Sequence, residues 1–426
     1  MHRVIAALLA VTSCASIAQA QTVPETGTSS SQAPIGDILT LDTALSQGGA
    51  ASPSLGSATA GVQAATAART VAGLRPNPEV QATTENVVGT GPYQGLRSAE
   101  TTVGVAVPLE LGGKRPARVA LANARLTRAQ IQSAIAIADL RLRITQLYVQ
   151  AAAAERRAEV LGEQAGIAAN ALRIASERVT AGAASPIEQQ RAEVLRINAQ
   201  VAAESATREA QAARFNLTAL IGQPITGPLD RAWFDRVSGY GPQTSVEVEG
   251  TLALAAATAD VNTATAQIRV ARSLRTPDVT VSAYARRLEA TNDTAAMFGV
   301  SIPIPVFNNG RAFEGQARAE QTQASALRSL AVLDTRQAIA SAQTEVANAA
   351  ATARATGGPG LAAAAEAARI ARVGYSQGKF DQIQLLDAER TLSQTRQTYV
   401  DALANYHDAE ARLARLATPA PITGER

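Results

Sequence analysis

The sequence predicts a mainly α-helical chain with a small β part, a tandem repeat of long coiled-coil helices and four short strands. Three observations predict it. The first is composition: 46% of the 426 residues are apolar, Ala is the commonest residue, and aromatics reach only 3%. A methyl side chain buries little area at roughly 25 cal/mol per Å², whereas Ala is the best helix former. Such a chain suits long helices packed closely better than thick globular cores. The second is duplication: several landmark segments occur twice, in the same order. The third is a seven-residue spacing of apolar and small residues in the last helical stretch.

The first twenty residues come first in the chain and stand apart. His2 and Arg3 form a basic start, residues 4–11 are continuously apolar, and Ala18-Gln19-Ala20 is a small-residue cleavage site. This is the pattern of a signal peptide, residues 1–20. A second reading is open: Val11-Thr12-Ser13-Cys14 resembles a bacterial lipobox, in which Cys14 becomes a lipidated N-terminus. Either way the mature chain leaves the cytoplasm. No later run approaches the ~20 apolar residues of a membrane helix.

The duplication has three landmarks. Gly104-Val-Ala-Val-Pro108-Leu-Glu-Leu-Gly-Gly113-Lys-Arg returns as Gly299-Val-Ser-Ile-Pro303-Ile-Pro305-Val-Phe-Asn-Asn-Gly310-Arg. Gly182-Ala-Ala-Ser185-Pro-Ile, followed by Ala192-Glu193, returns as Gly378-Lys-Phe-Asp381-Gln-Ile, followed by Ala388-Glu389. Leu74-Arg75-Pro-Asn-Pro78-Glu79-Val80 returns as Leu274-Arg275-Thr-Pro277-Asp278-Val279. The expected repeats are 38–222 and 251–417, joined by a Pro/Gly-rich linker at 223–250 that holds Trp233, with a tail at 418–426.

Each repeat opens with an Ala-rich helical run, over 40–74 and 251–275, ended by a Pro-containing turn. A hairpin of strand-like segments follows. The first, 79–108, comprises Glu79–Val88 and Ala99–Pro108; the second, 278–304, comprises Asp278–Leu288 and Ala296–Ile304. Val279, Val281, Ala283 and Ala285 alternate with Thr280, Ser282, Tyr284 and Arg286, the period-two signature of a half-buried strand. A helix pair completes each repeat, 115–221 and 312–416, and Gly-Gly-Pro-Gly at 357–360 interrupts the second. The break within each pair has Gly near a helix end, then a capping Ser185 or Asp381. In the last helix, Leu385, Leu392, Tyr399, Tyr406 and Leu413 repeat every seventh residue. The matching series in the first repeat is Ala192, Ala199, Ala206, Ala213 and Leu220, and small seam residues let helices approach closely.

Composition excludes several classes. One Cys cannot form an intrachain disulfide. Two His, two Met and one Cys leave too few ligands for a His/Cys metal centre, so neither metal nor cofactor is expected. A net charge of +3, with Lys114 and Lys379 as the lysines, predicts no nucleic-acid partner. No Walker motif or nucleophile elbow occurs, Gly112-Gly113-Lys114 lacks P-loop spacing, and no residue set proposes catalysis. His407, alone on the last helix, reads as a structural or surface residue.

Four strands of about ten residues match the 9–11 of a tilted outer-membrane crossing. Four cannot close a membrane barrel, and an open edge in lipid leaves backbone groups unpaired. Three copies supply twelve strands. All helices then lie on one side of the membrane. A secreted coiled-coil scaffold without a pore is the alternative of a different class, and the strand pairs weigh against it.

The run Val107-Pro108-Leu-Glu-Leu-Gly-Gly-Lys-Arg115, its partner Ile302-Pro303-Ile-Pro-Val-Phe-Asn-Asn-Gly310, and Gly378-Lys-Phe-Asp381 with Leu386-Asp387-Ala388 resemble the TolC family of outer-membrane efflux proteins. The likeness covers essentially the whole mature chain and is closest to the CzcC-type channels of heavy-metal efflux. It implies a homotrimer in outer-membrane lipid of a Gram-negative bacterium. A 12-stranded β-barrel would join a periplasmic α-helical barrel. The implied partners are a periplasmic adaptor (membrane fusion protein) and an inner-membrane resistance-nodulation-division (RND) pump. The function implied is passive export of heavy-metal cations of the Co/Zn/Cd/Ni type. Export of drugs or other small molecules is the alternative, since the chain offers almost no soft-metal ligands.

The resemblance also assigns residues. The periplasmic tip that meets the adaptor would comprise Arg178, Val179, Thr180, Ala181, Gly182 and Ser185 with Arg372, Val373, Gly374, Gln377, Gly378 and Asp381. Asp387 matches the second acid of a family Asp-x-x-Asp pair that narrows the pore, and Gln384 stands where the first would be. Three copies of Asp387 would form a cation-favouring ring; the bland reading is a solvated helix residue. At the barrel–helix junction stand Pro108, Gly112, Gly113, Lys114, Arg115, Pro303, Pro305 and Gly310, with Lys114 and Arg115 anchoring the membrane border.

Overall fold

The computed structural model describes residues 38–48, 52–238 and 247–421. The signal segment 1–20 with Cys14, part of the linker and residues 422–426 of the tail lie outside the described residues. The chain is mostly helical with one small sheet. In order, the elements are α1 (Leu41–Gln47), α2 (Pro53–Ala72), β1 (Glu79–Glu85), β2 (Glu100–Leu109), α3 (Lys114–Thr180), α4 (Pro186–Ile221), α5 (Arg231–Phe234) and α6 (Leu252–Ser273). Then follow β3 (Val279–Leu288), β4 (Asp293–Ser301), α7 (Arg311–Ala355), α8 (Leu361–Ser376) and α9 (Gln382–Leu416).

Several boundaries depart from the sequence expectation, each for a local reason. The run expected as one helix over 40–74 is two. The Gly48 N–H bonds back to the Ala44 carbonyl at 2.8 Å, and α2 restarts at Pro53, whose missing N–H suits a first helical position. β1 stops at Glu85 rather than Val88, because Asn86 takes φ 58°. β4 starts at Asp293 rather than Ala296, directly after Asn292 at φ 61°. It ends at Ser301 rather than Ile304, since Pro303 and Pro305 cannot donate to a ladder. The second helix pair runs α7 into α8 through a π-helical turn, Thr356–Gly360, with Pro359 inside it. The corresponding α3 runs unbroken for 67 residues, roughly 100 Å at 1.5 Å per residue.

The four strands form one antiparallel sheet in the order β1-β2-β3-β4. Among the described residues no helix is long and apolar enough to cross a membrane. Helix α3 packs against α2, α4, α6 and α9, and α7 against α6 and α9. The seven-residue series lies in these seams: Leu385, Leu392 and Tyr406 are buried, as are Ala192 and Ala206.

The largest core lies where α1, α3, α4, α5 and α9 meet, around Leu39, Ile144, Tyr148, Leu217 and Leu403. The Tyr148 hydroxyl donates to the Leu39 carbonyl at 2.7 Å and accepts from the Asp230 N–H at 2.9 Å. Burial pushes that hydroxyl up to about 12. Trp233 meets Tyr148 edge-on and stacks on His407 with ring centroids 4.2 Å apart. His407 is only 3% exposed, and its Nε2 lies 2.9 Å from the Phe234 carbonyl, which only accepts. This histidine belongs to the core, not the surface.

Candidate channel wall and helix-turn tips

The ladder register sorts the strand residues onto two faces. One face carries Val80 and Ala82 of β1, Val103, Val105 and Val107 of β2, Val281, Ala283 and Ala285 of β3, and Ala296, Phe298 and Val300 of β4. These apolar residues are exposed where a soluble protein would cover them: Val80 is 77%, Phe298 86% and Val300 67% accessible. The other face carries Glu79, Gln81, Thr83 and Glu85, Glu100 and Thr102, Ser282, Tyr284 and Arg286, and Asp293 and Ser301.

The polar face is tied across strands. Arg286 bridges Glu100 at 2.7 Å and Glu85 at 3.4 Å, and its Nε donates to Thr102 Oγ1 at 3.0 Å. The Tyr284 hydroxyl donates to Gln81 Oε1 at 2.9 Å across the intervening β2. Gly104 makes that reach open: a side chain there would collide with the Ala283 carbonyl and the Tyr284 ring.

Between sheet and helices the junction is pinned by ion pairs. Lys114 Nζ sits 2.7 Å from Asp278 Oδ1, which also accepts the Leu111 N–H at 3.1 Å. Burial opposes the Asp278 charge, but the Lys114 and Leu111 bonds and the nearby cations outweigh it and hold the carboxyl below its usual range. Arg118 grips Glu110 and also donates to the Leu74 carbonyl at 3.2 Å. Gly112 packs against Ser273 and Thr276; Gly113 and Gly310, the N-caps of α3 and α7, take φ 72° and 75°. Pro108 lies within β2, while Arg115, Pro303 and Pro305 are exposed. Glu314, early in α7, accepts from Arg318 at 2.8 Å, Arg272 at 2.9 Å and Arg275 at 3.3 Å. The Arg318 and Arg272 hydrogen bonds hold its carboxyl down to about 2.

The two helix breaks are built alike. After α3 the Gly182 N–H bonds to Val179 O at 3.0 Å, and Ala183 N–H to Arg178 O at 2.8 Å. After α8 the Gly378 N–H bonds to Tyr375 O at 3.0 Å, and Lys379 N–H to Gly374 O at 2.8 Å. Both are Schellman closures with glycine at φ 71°. Each next helix is then capped. The Ser185 hydroxyl accepts the Ile187 N–H at 3.4 Å. Asp381 Oδ1 accepts the Gln384 N–H at 2.8 Å, and Gln384 Oε1 accepts the Asp381 N–H at 3.2 Å, a reciprocal capping box. The Gln384 side chain is therefore engaged by its own helix end.

The breaks also meet each other. Gln382 Nε2 donates to the Glu188 carbonyl at 3.4 Å, and the Arg178 guanidinium lies 5.1 Å over the Tyr375 ring. A cleft of about 1310 Å³ opens between α3, α4, α8 and α9. It gathers Arg178, Arg372, Gln377, Gly378 and Asp387 among the expected residues. Val179, Thr180, Ala181, Gly182, Ser185, Val373, Gly374, Asp381 and Gln384 do not line it. Gly374 is buried beneath the Phe380 ring instead. Sequence reasoning missed Tyr375 and Glu389. Glu389 is 3% exposed and takes two hydrogen bonds from Arg372, one at 2.9 Å from Nη2. The repeat marks the position, since Ala388-Glu389 matches Ala192-Glu193, but not the pairing: Glu193 is partly exposed and bonds Arg196 instead.

A model of the outer membrane efflux protein family matches the chain twice, over residues 44–223 and 248–418. The chain belongs to the outer membrane efflux protein family. Among curated relatives, the efflux protein is 32% identical to the cobalt-zinc-cadmium resistance protein CzcC of Cupriavidus metallidurans, over 89% of this chain and 90% of that one. It is 31% identical to the nickel and cobalt resistance protein CnrC of the same organism, over 63% of this chain and 64% of the relative. Among solved structures it resembles CusC with a TM-score of 0.75 at 16% identity, covering 91% of this chain and 94% of that one. It also resembles the outer membrane protein VceC of Vibrio cholerae with a TM-score of 0.72 at 20% identity, covering 89% and 96%. The TolC-like fold expected from the sequence is the fold found.

Proposed function

We propose that three copies of this efflux protein assemble in the outer membrane as a passive export duct of a tripartite RND system. Each copy contributes the four strands, and twelve close a barrel whose apolar face meets lipid. The helices extend into the periplasm as a second, α-helical barrel. The observation that carries the reading is the two-faced sheet. An exposed apolar face opposite a cross-linked polar face is what a lipid-facing, water-lined barrel wall requires, and the free edges of β1 and β4 call for pairing with further copies. The chain reads as two efflux repeats, 38–222 and 251–417, around the linker 223–250.

The paired tips supply the surface for a periplasmic adaptor, with Arg178, Arg372, Gln377 and Gly378 around the cleft, and Asp387, exposed on the cleft wall, as the candidate constriction. The inner-membrane partner is an RND pump. The cargo is a heavy-metal cation of the Co/Zn/Cd/Ni type, supported by the likeness to CzcC and CnrC. The chain's scarcity of Cys, His and Met leaves metal recognition to the pump and makes this subunit the pipe.

Deletion of the gene followed by growth on Co, Zn, Cd and Ni salts tests the cargo. Lowered tolerance to these salts is expected. Unchanged metal tolerance with lowered drug tolerance would replace the cargo with small molecules and leave the duct standing. A purified protein that never forms trimers would overturn the duct.

A further inference from the structure

The two barrel–helix junctions descend from one duplicated segment, yet their charges are balanced differently. At the first, each cation has its own acid: Lys114 pairs with Asp278, and Arg118 with Glu110. At the second, three guanidinium groups share one carboxylate. Glu314 of α7 is buried and accepts from Arg272 Nε at 2.9 Å and Arg318 Nη2 at 2.8 Å on Oε1, and from Arg275 Nη1 at 3.3 Å on Oε2. Three positive charges against one leave the cluster two in excess. All three arginine side chains are about half exposed. Among the described residues, both Nη groups of Arg272, Nε and Nη2 of Arg275 and Nη1 of Arg318 donate to no acceptor. A buried acid thus orients three planar forks and leaves their remaining N–H groups for a further anion, and a guanidinium fork matches a phosphate.

An apolar strip leads to this cluster. Ile302, Ile304 and Val306 continue, past the end of β4, the every-second-residue series Ala296, Phe298 and Val300. All three are exposed, as are Phe307 and Phe313. The strip ends close to the arginines, because a Cβ at Gly310 would meet the Arg275 side chain. Pairing of β4 with another copy runs in the plane of the sheet, so it closes the strand edge and leaves the face of the strip open.

We propose that Arg272, Arg275 and Arg318 bind the headgroup phosphate of an anionic phospholipid, one per copy, whose acyl chains run along Ile302, Ile304, Val306 and Phe307. The proposal rests on the barrel reading above, in which the apolar face meets lipid and the helices lie in the periplasm. The cluster then stands at the periplasmic rim of the bilayer, where basic residues attract anionic headgroups. A zwitterionic headgroup also carries a phosphate, but its own cation is repelled by the excess charge. Two excess cations at about fivefold in affinity each predict about a 25-fold preference for the anionic lipid.

Native mass spectrometry of trimers in a non-ionic detergent tests this, with phosphatidylglycerol and phosphatidylcholine supplied in equal amounts. Phosphatidylglycerol should be retained about 25-fold over phosphatidylcholine at the first three lipids bound. R272Q/R318Q leaves one arginine on Glu314, balances the second junction like the first, and should bring the ratio near one. Should that variant not assemble, R318Q alone is expected to lower the ratio about fivefold. R173Q/R208Q removes the same charge from α3 and α4 far along the helices and should leave the ratio unchanged. Glycerol 1-phosphate, a headgroup phosphate without acyl chains, should not displace the lipid at equal concentration. Equal retention of the two lipids by the wild type would overturn the proposal, as would an unchanged ratio in assembled R272Q/R318Q or an equal loss in R173Q/R208Q. Displacement by glycerol 1-phosphate would make the cluster a receptor for free phosphate and overturn the lipid assignment. A wild type that forms no trimers would instead sink the barrel reading, and the proposal with it.

Discussion

Arg372 and Glu389 hold the second helix break together, and removing the arginine exposes how. Glu389 is 3% exposed on α9 and takes both its hydrogen bonds from Arg372 on α8. Truncating Arg372 to Met leaves the carboxylate buried without its cation. Breaking a fully buried pair costs about 3–5 kcal/mol. The Arg372 side chain is 48% exposed, so water already screens the pair and only part of that cost applies. About 2 kcal/mol is the reasoned figure, or roughly a 30-fold shift in a local opening equilibrium. The shift should stay local, because the largest core lies elsewhere, around Tyr148 and Leu403. Hydrogen exchange on the purified protein should show the amides of α8 near 370–376 exchanging about 30-fold faster in R372M, with those around Tyr148 unchanged. R372M/E389Q, which removes the stranded charge, should recover most of the protection. Unchanged exchange in R372M, or a double variant as labile as the single one, would refute the reasoning.

Three further outcomes follow from the same geometry. G182A and G378A each force a Cβ into the left-handed region and should each cost about 1–2 kcal/mol, lowering the melting temperature by similar amounts because both close the same motif; a silent G378A would argue against it. D381A loses the capping box and should cost about 0.5–2 kcal/mol, read by the same thermal scan, with D381N nearly neutral. Glu314 has its folded pKa lowered to about 2 from the ordinary 4.5. Its contribution is fully present above 4.5 and is lost as pH falls from 4.5 toward 2. E314Q should therefore flatten the loss of stability over that interval, measured by acid titration of the helical circular dichroism signal.

Much of this fold is legible in the sequence, and the failures have local causes. The heptad of α9 and the alternation of β3 report burial directly, because a helix seam and a strand face each repeat with a fixed period. The Gly182 and Gly378 breaks are legible because glycine is the residue that closes a helix in left-handed geometry. Strand ends are harder: Asn86 and Asn292 end strands by taking positive φ, a role that asparagine fills only in some contexts. The buried state of His407 depends on Trp233, which comes from the linker 174 positions away (233 against 407). No local pattern carries such a pairing. The same holds for the Arg372–Glu389 pair and the Asp278–Lys114 pin, whose partners are brought together only by the tertiary fold.

The central claim is that the exposed apolar face of the sheet lies against lipid and its polar face against water. Single cysteines introduced at positions 280 to 287 of β3 and spin-labelled in reconstituted trimers read this directly, with the unsubstituted chain as blank. Collision rates with dissolved oxygen and with a water-soluble nickel chelate should alternate with period two: lipid-like at 281, 283 and 285, water-like at 280, 282, 284 and 286. Water-like accessibility at every position, or a period that matches helix rather than strand, would contradict the account.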